Sequence, residues 1–251
     1  MLRGVYAAAS GMIGQRERLD VIADNLTNVS TAAFKRAEPI SRGFYQVFAG
    51  EIRRFPSERG SGEIPGGGSA LDATAGDFSI GSIIDTGNPL DAAIEGSGFF
   101  VVETPAGERY TRAGNFSLDA EGRLVSQDGY FVRGQQGPIV ARGASVRLSQ
   151  AGDVLVDGAS VDRLLVVDFP RPYQLSKYGQ NLYGAVEEVR QTQSPVQTSS
   201  LRVSALERSN VNPISELVSL MDTARMYEAD QRIIQAIDES LNAAVNQIAR
   251  T

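Results

Sequence analysis

Leu220, Tyr227, Ile234, Leu241 and Ile248 fall at every seventh position near the end of a chain of 251 residues. A seven-residue apolar repeat held over this length demands a long helix that turns one face to another helix. Leu217, Ala224 and Val245 supply part of a companion row, which Gln231 and Asp238 interrupt. Asn212 is placed to cap the helix and Pro213 suits its first position. The spacing predicts a helix from about Pro213 to Arg250, about 57 Å long at ~1.5 Å per residue.

A second helix is expected at the other end, from about Leu2 to Asn28. Val5, Ala9, Met12, Leu19, Ile22, Leu26 and Val29 recur at three- and four-residue steps and paint one apolar stripe. Gly11 and Gly14 weaken its first half, each costing ~1 kcal/mol against alanine. The run Met1 to Ser10 has the look of a secretory leader, but its apolar stretch is short and Arg16, Glu17, Arg18 and Asp20 follow at once. It reads as a helix rather than a cleaved signal.

Between the helices the pattern changes to short apolar runs: Phe78–Ile84, Gly98–Glu103, Asn115–Leu118, Arg123–Ser126, Tyr130–Val132, Val146–Leu148, Val154–Val156 and Leu164–Phe169. Turn signals separate them, among them Pro105-Ala106-Gly107, Glu121-Gly122, Asp128-Gly129, Gly152-Asp153 and Asp157-Gly158. That spacing predicts antiparallel hairpins closed as a sandwich or barrel-like unit. The fold class is therefore α+β, with a central all-β domain inserted between terminal helices that pair as a coiled coil. The expected division is an N-terminal helical segment over 1–35, an extended Gly/Ser-rich connection over 36–75, the β domain over 76–200 and the C-terminal helical segment over 201–251.

The long helix also bears on partners. A β unit of about 130 residues is near 36 Å across, so the C-terminal helix overhangs it. The N-terminal helix covers at most about 40 Å of that length. Two such helices pairing alone leave apolar flanks, and burying each leucine-sized side chain is worth roughly 1.5–3 kcal/mol. Other copies of the chain would bury the remainder. A self-contained two-helix hairpin is the alternative on periodicity alone.

Composition narrows the chemistry. Cysteine, histidine and tryptophan are absent, which excludes disulfides, thiol nucleophiles, Cys/His zinc sites and a Ser-His-Asp triad. The net charge of -6 offers no broad electrostatic case for nucleic acid. Charge is uneven: residues 1–60 carry nine Lys/Arg against six Asp/Glu, whereas the rest carry fifteen against twenty-four. No stretch reaches the ~18 apolar residues that span a bilayer. No cofactor, catalytic or metal residue emerges. Two acids in a cleft would make a secreted hydrolase on a β scaffold, with Asp85, Asp91, Glu95, Glu103, Asp119, Glu121, Asp128, Asp153, Asp157 and Asp168 as candidates. Most of them sit in turn contexts where Asp serves backbone geometry.

The segment Asn25-Leu26-Thr27-Asn28-Val29-Ser30-Thr31-Ala32-Ala33-Phe34-Lys35 ends the first helix. Asn25 and Asn28 share a helix face and can bond backbone groups left open where the helix stops. Phe34 supplies an apolar anchor, and Lys35 and Arg36 a basic edge. Spacing alone leaves both an ordinary helix terminus and an assembly motif open. The segment resembles the N-terminal signature of the bacterial flagellar rod and hook proteins, N-L-A-N-x-x-T-x-G-[FY]-[KR]. Thr27 replaces the usual alanine. Ala33 replaces the usual glycine, which bears on whether φ is positive there. Gly87–Val102, Tyr110–Asp119 with Gly122–Val125, and Ser209-Asn210-Val211-Asn212 resemble further blocks of the family, in family order.

The resemblance implies a non-enzymatic subunit of the flagellar basal body. Length and the modest central domain are similar to rod proteins of the FlgF/FlgG type, with the proximal, FlgF-like kind preferred over the distal, FlgG-like kind. It implies partners in copies of itself, other rod and hook proteins and the flagellar export apparatus. It also implies export without a cleaved leader and assembly in the periplasm. The residues expected at subunit interfaces are Leu19, Ile22, Asn25, Leu26, Asn28, Val29, Phe34, Leu220, Tyr227, Ile234, Leu241 and Ile248.

Overall fold

The computed structural model describes residues 2–43, 69–179, 181–195 and 200–248. Helix α1 spans Leu2–Thr27 and helix α2 spans Pro213–Ile248. The chain divides into two compact units. One holds residues 1–27, 37–77 and 212–251; the other holds 28–36 and 78–211.

In the first unit α1 and α2 run antiparallel. Gln15 Nε2 lies 3.7 Å from Met226 Sδ, Asn25 Nδ2 lies 3.5 Å from Glu216 Oε2, and Gly11 packs under the Asp230 carboxylate. Each step along α1 is matched by an equal step back along α2. Continued to Leu2, the same steps reach Glu239, so residues 240–248 carry α2 about 13 Å farther at ~1.5 Å per residue. Asn212 caps α2 as its residue type predicts: its Oδ1 accepts from Ile214 N at 3.0 Å and from Ser215 N at 3.4 Å. Pro213 is the first helical residue.

The seam on α2 differs from the expected one. Leu220, Tyr227 and Ile234 are half-buried on the α1 side, as their spacing requires. Their companions are Glu216 and Thr223, both buried, with Asp230 and Ile237 half-buried. Leu217 is exposed, as are Gln231 and Asp238. The companion row therefore runs through 216, 223, 230 and 237, largely polar positions, and not through 217, 231 and 238; of the expected row Ala224 is half-buried, as Leu220 is. Leu241 and Ile248 lie within α2, but their side chains fall outside the described residues.

The segment read as a connection carries two strands. Ala37–Gly43 and Ser69–Gly76 pair antiparallel, with a register shift between Ile40 and Ser41. Of the Gly/Ser-rich stretch 57–70, only residues 69 and 70 lie among those described.

Among the described residues, the regular structure of the second unit is antiparallel sheet apart from one helical turn, Glu187–Arg190. Its main sheet runs in the order Leu175–Tyr178, Leu182–Ala185, Gly107–Thr111, Phe99–Thr104, Phe131–Val132, Leu124–Val125, Ser117–Leu118. A three-stranded sheet joins Val146–Leu148, Asp153–Val156 and Ala159–Arg163. Two ribbons, Ser200–Val203 with Ala92–Glu95 and Ala205–Glu207 with Ile83–Asp85, bring the residues before α2 into this unit. The hairpin turns fall where their residues predict. Asp157 and Gly158 both take positive φ, 51° and 90°, the two-residue geometry that suits the twist of flanking strands.

Two apolar clusters form the core. Phe100 and Val102 enter the larger, with Ile94, Phe116, Leu124, Val154 and Leu201. Phe99 and Val101 enter the smaller, with Tyr110, Val167, Phe169 and Tyr183. Successive residues of a strand point to opposite faces. The unbroken run Phe99-Phe100-Val101-Val102 is thus a strand covered on both sides.

Candidate assembly site

Two arrangements use the residues singled out in the sequence, one in each unit. In the first unit, Asn25 is 1% exposed and meets the backbone of Ala37 twice. Its Nδ2 donates to Ala37 O at 2.9 Å and its Oδ1 accepts from Ala37 N at 2.9 Å. The amide thus imitates a strand partner for the first residue of the Ala37–Gly43 strand, rather than capping its own helix end. Thr27 turns back to its own helix, Oγ1 donating to Ala23 O at 2.8 Å. Ile22 is buried, and Leu19 and Leu26 are half-buried.

The outer side of α2 carries a different apolar row. Ile214, Leu217, Val218 and Met221 are each close to half exposed or more, Ile214 reaching 73%. Steps of three, one and three place them on one stripe. Beyond Met221 the same face continues as Arg225, Glu228 and Arg232, so the apolar patch is confined to the first turns. Met226 and Ile233 on α2 and Ile13 on α1 are also exposed. Sequence reasoning missed this stripe because it sought a single seam. The signal was present, since Ile214, Leu217, Val218 and Met221 have helical spacing of their own.

In the second unit the segment after α1 is bonded to the segment before α2. Ala33 N donates to Glu207 O at 2.8 Å, Asn210 N to Phe34 O at 3.3 Å, and Arg36 N to Asn210 Oδ1 at 2.7 Å. Ala33 has φ of 55°, so the turn keeps a positive φ without the glycine. Asn28 is buried and accepts from Thr31 Oγ1 at 3.2 Å, and Val29 is half-buried. Phe34 is fully buried, with the Lys177 ammonium 4.4 Å from its ring centroid.

Lys35 is not a basic edge: it is 2% exposed. Its Nζ donates to Glu207 Oε1 at 2.5 Å and to Ser79 O at 2.6 Å. Gly81 N donates to the same Oε1 at 2.8 Å. A Cβ on Gly81 would fall 1.9 Å from Arg208 O, so only glycine fits there. Arg112 Nη1 stands 3.6 Å from Glu207 Oε2, with its Cζ 5.3 Å from the Phe99 ring centroid. Burial pulls the Arg112 guanidinium below its ordinary pKa, while the charge on Glu207 opposes the shift. Burial pushes the neighbouring Tyr183 phenol well above its ordinary range, Glu207 adding to the push. A buried charge is tolerable only when paired and hydrogen-bonded, and Glu207 takes partners from three distant parts of the chain.

Four of the acids considered for hydrolysis are engaged in local hydrogen bonds. Asp157 accepts from Ser145 N and Ala144 N. Asp91 accepts from Thr86 Oγ1 and Asn88 Nδ2. Burial works to raise the pKa of Asp119, but hydrogen bonds from the Arg123 backbone and guanidinium outweigh it and hold the carboxyl low. Arg163 does the same for Asp153. A general acid needs the opposite shift. A cleft of about 550 Å³ beside Ser30, Thr31 and Asn181 has one carboxylate, Asp128, in its lining. Among the described residues no acid cluster has the makings of a metal site, and no helix is long and apolar enough to cross a membrane.

Comparison with known proteins matches three blocks of the chain to family models. Residues 5–35 match "Flagella basal body rod protein", 93–156 match "Flagellar hook protein FlgE/F/G D1 domain", and 202–248 match "Flagellar basal body rod FlgEFG protein C-terminal". The flagellar basal-body rod protein FlgG of Bacillus subtilis is 32% identical over 98% of this chain and 99% of its own length. FlgG of Borreliella burgdorferi is 33% identical over 98% of each. FlgF of Caulobacter vibrioides is 30% identical over the whole of this chain and 99% of its own. With similarity running from end to end and family blocks at both helices and the sheet between, this chain belongs to the flagellar rod and hook protein family and is a structural subunit of the basal-body rod.

Proposed function

We propose that this subunit polymerises through its terminal helices into the axial rod and carries torque from the motor to the hook. The observation that carries the reading is the stripe Ile214, Leu217, Val218 and Met221, which α1 leaves uncovered. Covering four half-exposed side chains of this size is worth roughly 3–6 kcal/mol. Repeated head-to-tail contacts that do not close generate a helical filament. The continuation of α2 beyond α1 offers further surface along the same axis. Of the interface residues named from the sequence, Leu19, Leu220, Tyr227 and Ile234 then hold the pair within one subunit, and the stripe, which lies outside that set, meets the neighbour.

The narrower reading is a proximal, FlgF-like rod subunit delivered by the flagellar export apparatus without a cleaved leader and assembled in the periplasm. Its support is length: the FlgF relative aligns over 256 positions to the whole of this chain. The distal, FlgG-like reading draws on the relatives of that name, up to 33% identical. Complementation of host strains lacking either protein separates the two.

The polymer reading is tested with Val218→Asp plus Met221→Asp. The variant should be secreted and should fold, yet assemble no rod and support no swimming. Normal rods from that variant would sink the proposal.

A further inference from the structure

We infer that the polar row of α2, Glu216, Thr223 and Asp230, specifies the alignment of the helix pair. The apolar row cannot do so. Leu220, Tyr227 and Ile234 repeat every seven residues, so a slide of one heptad lays a large apolar side chain where another had been. Such a slide changes the apolar contacts little. The polar row has no such symmetry. Glu216 is buried where the Asn25 amide reaches it, and Asn25 is itself fixed by both hydrogen bonds to Ala37.

Fourteen residues on, the Asp230 carboxylate sits over Gly11, its Oδ2 3.2 Å from where a Cβ on that glycine would stand. A slide in either direction takes Glu216 from Asn25 and sets a different side chain over Gly11. Gly11 and Asp230 are matched by absence and presence: the missing side chain on α1 makes room for the carboxylate on α2. Both contacts are met together in one alignment only. Polar groups placed inside a helix seam in this way select register at some cost in stability. The weakening glycine of α1 thereby gains a role. Correct register also decides where along the pair the Ile214–Met221 stripe stands.

The test is disulfide trapping in the full-length protein, which has no native cysteine to interfere. Gln15→Cys is paired in turn with Met226→Cys, the observed neighbour, and with Ser219→Cys and Ile233→Cys, one heptad to either side. In the parent background only the 15–226 pair should form in high yield. Glu216→Leu plus Asp230→Leu should keep or raise the helical melting temperature and raise the ratio of shifted to native cross-links about tenfold. Glu216→Gln plus Asp230→Asn, which keeps the row polar, should hold the parent pattern. An unchanged single cross-link in the leucine variant would overturn the inference. So would a loss of helix in that variant, or scrambling in the Gln/Asn variant.

Discussion

The Asn25 side chain and the Ala37 main chain exchange two hydrogen bonds of 2.9 Å each, closing a ring between α1 and the strand twelve residues on. Both backbone groups of Ala37 depend on it. Asn25→Leu should therefore cost about 2–4 kcal/mol, since each buried group left unpaired costs roughly 1–3 kcal/mol. Chemical denaturation of the monomer measures it. A change under 0.5 kcal/mol would show that Ala37 finds other partners.

Lys35→Met removes the ammonium 2.5 Å from Glu207 and leaves the carboxylate with Arg112 at 3.6 Å. Breaking one side of a buried pair costs about 3–5 kcal/mol. Adding Glu207→Leu to that variant should recover part of the loss. A double-mutant cycle with additive terms would mean that the two charges do not sense each other.

Ala33 spends a positive φ of 55° without being glycine. Relief of that strain in Ala33→Gly, about 1–2 kcal/mol, is offset by the loss of a buried methyl worth about 0.8 kcal/mol. The net change should be close to neutral or mildly stabilising. Ala33→Val, which adds a β-branch in the same backbone region, should destabilise by more than 2 kcal/mol by the cost of overpacking alone plus strain, roughly. Thermal melts of the two variants should move in different directions or by clearly different amounts.

Alkaline pH should loosen the second unit. Burial raises the phenol pKa of Tyr183, and burial with the hydrogen bond to Asp168 raises that of Tyr173. A group whose folded pKa lies above its unfolded value of about 10 stabilises fully below that pH. The contribution is lost as pH climbs through the folded value. Unfolding midpoints should hold up to about pH 10 and fall as the pH climbs above it, and absorbance should show two phenols ionising late. Tyr183→Phe should blunt the fall; an identical pH profile in that variant would contradict the assignment.

Much of this was legible in residue order. The heptad row found α2 and one side of its seam, and Asn212-Pro213 located its start, because cap chemistry is local. Asp-Gly and Pro-Ala-Gly marked hairpins because two-residue turns demand particular φ values. The companion row was missed for the opposite reason: Glu216, Thr223 and Asp230 look like a solvated face unless the opposing Asn25 and Gly11 are known. Lys35, Arg112 and Glu207 suffer the same blindness, since a charged side chain gives no local sign of burial. The Ala37–Gly43 and Ser69–Gly76 strands are built largely of small and polar residues, with Pro39 inside the first, and carry no apolar run. Ser200–Glu207 does alternate, in Leu201, Val203, Ala205 and Glu207, but the charge at the last inward position conceals the period.

Lys35 and the glutamate that receives it are 172 residues apart. During synthesis the first signature residues leave the ribosome long before their acceptor exists, and any passage led by the N-terminus repeats the delay. The tie between them can be made only once residue 207 has followed. Until then Lys35 lacks the carboxylate that lets its ammonium be buried.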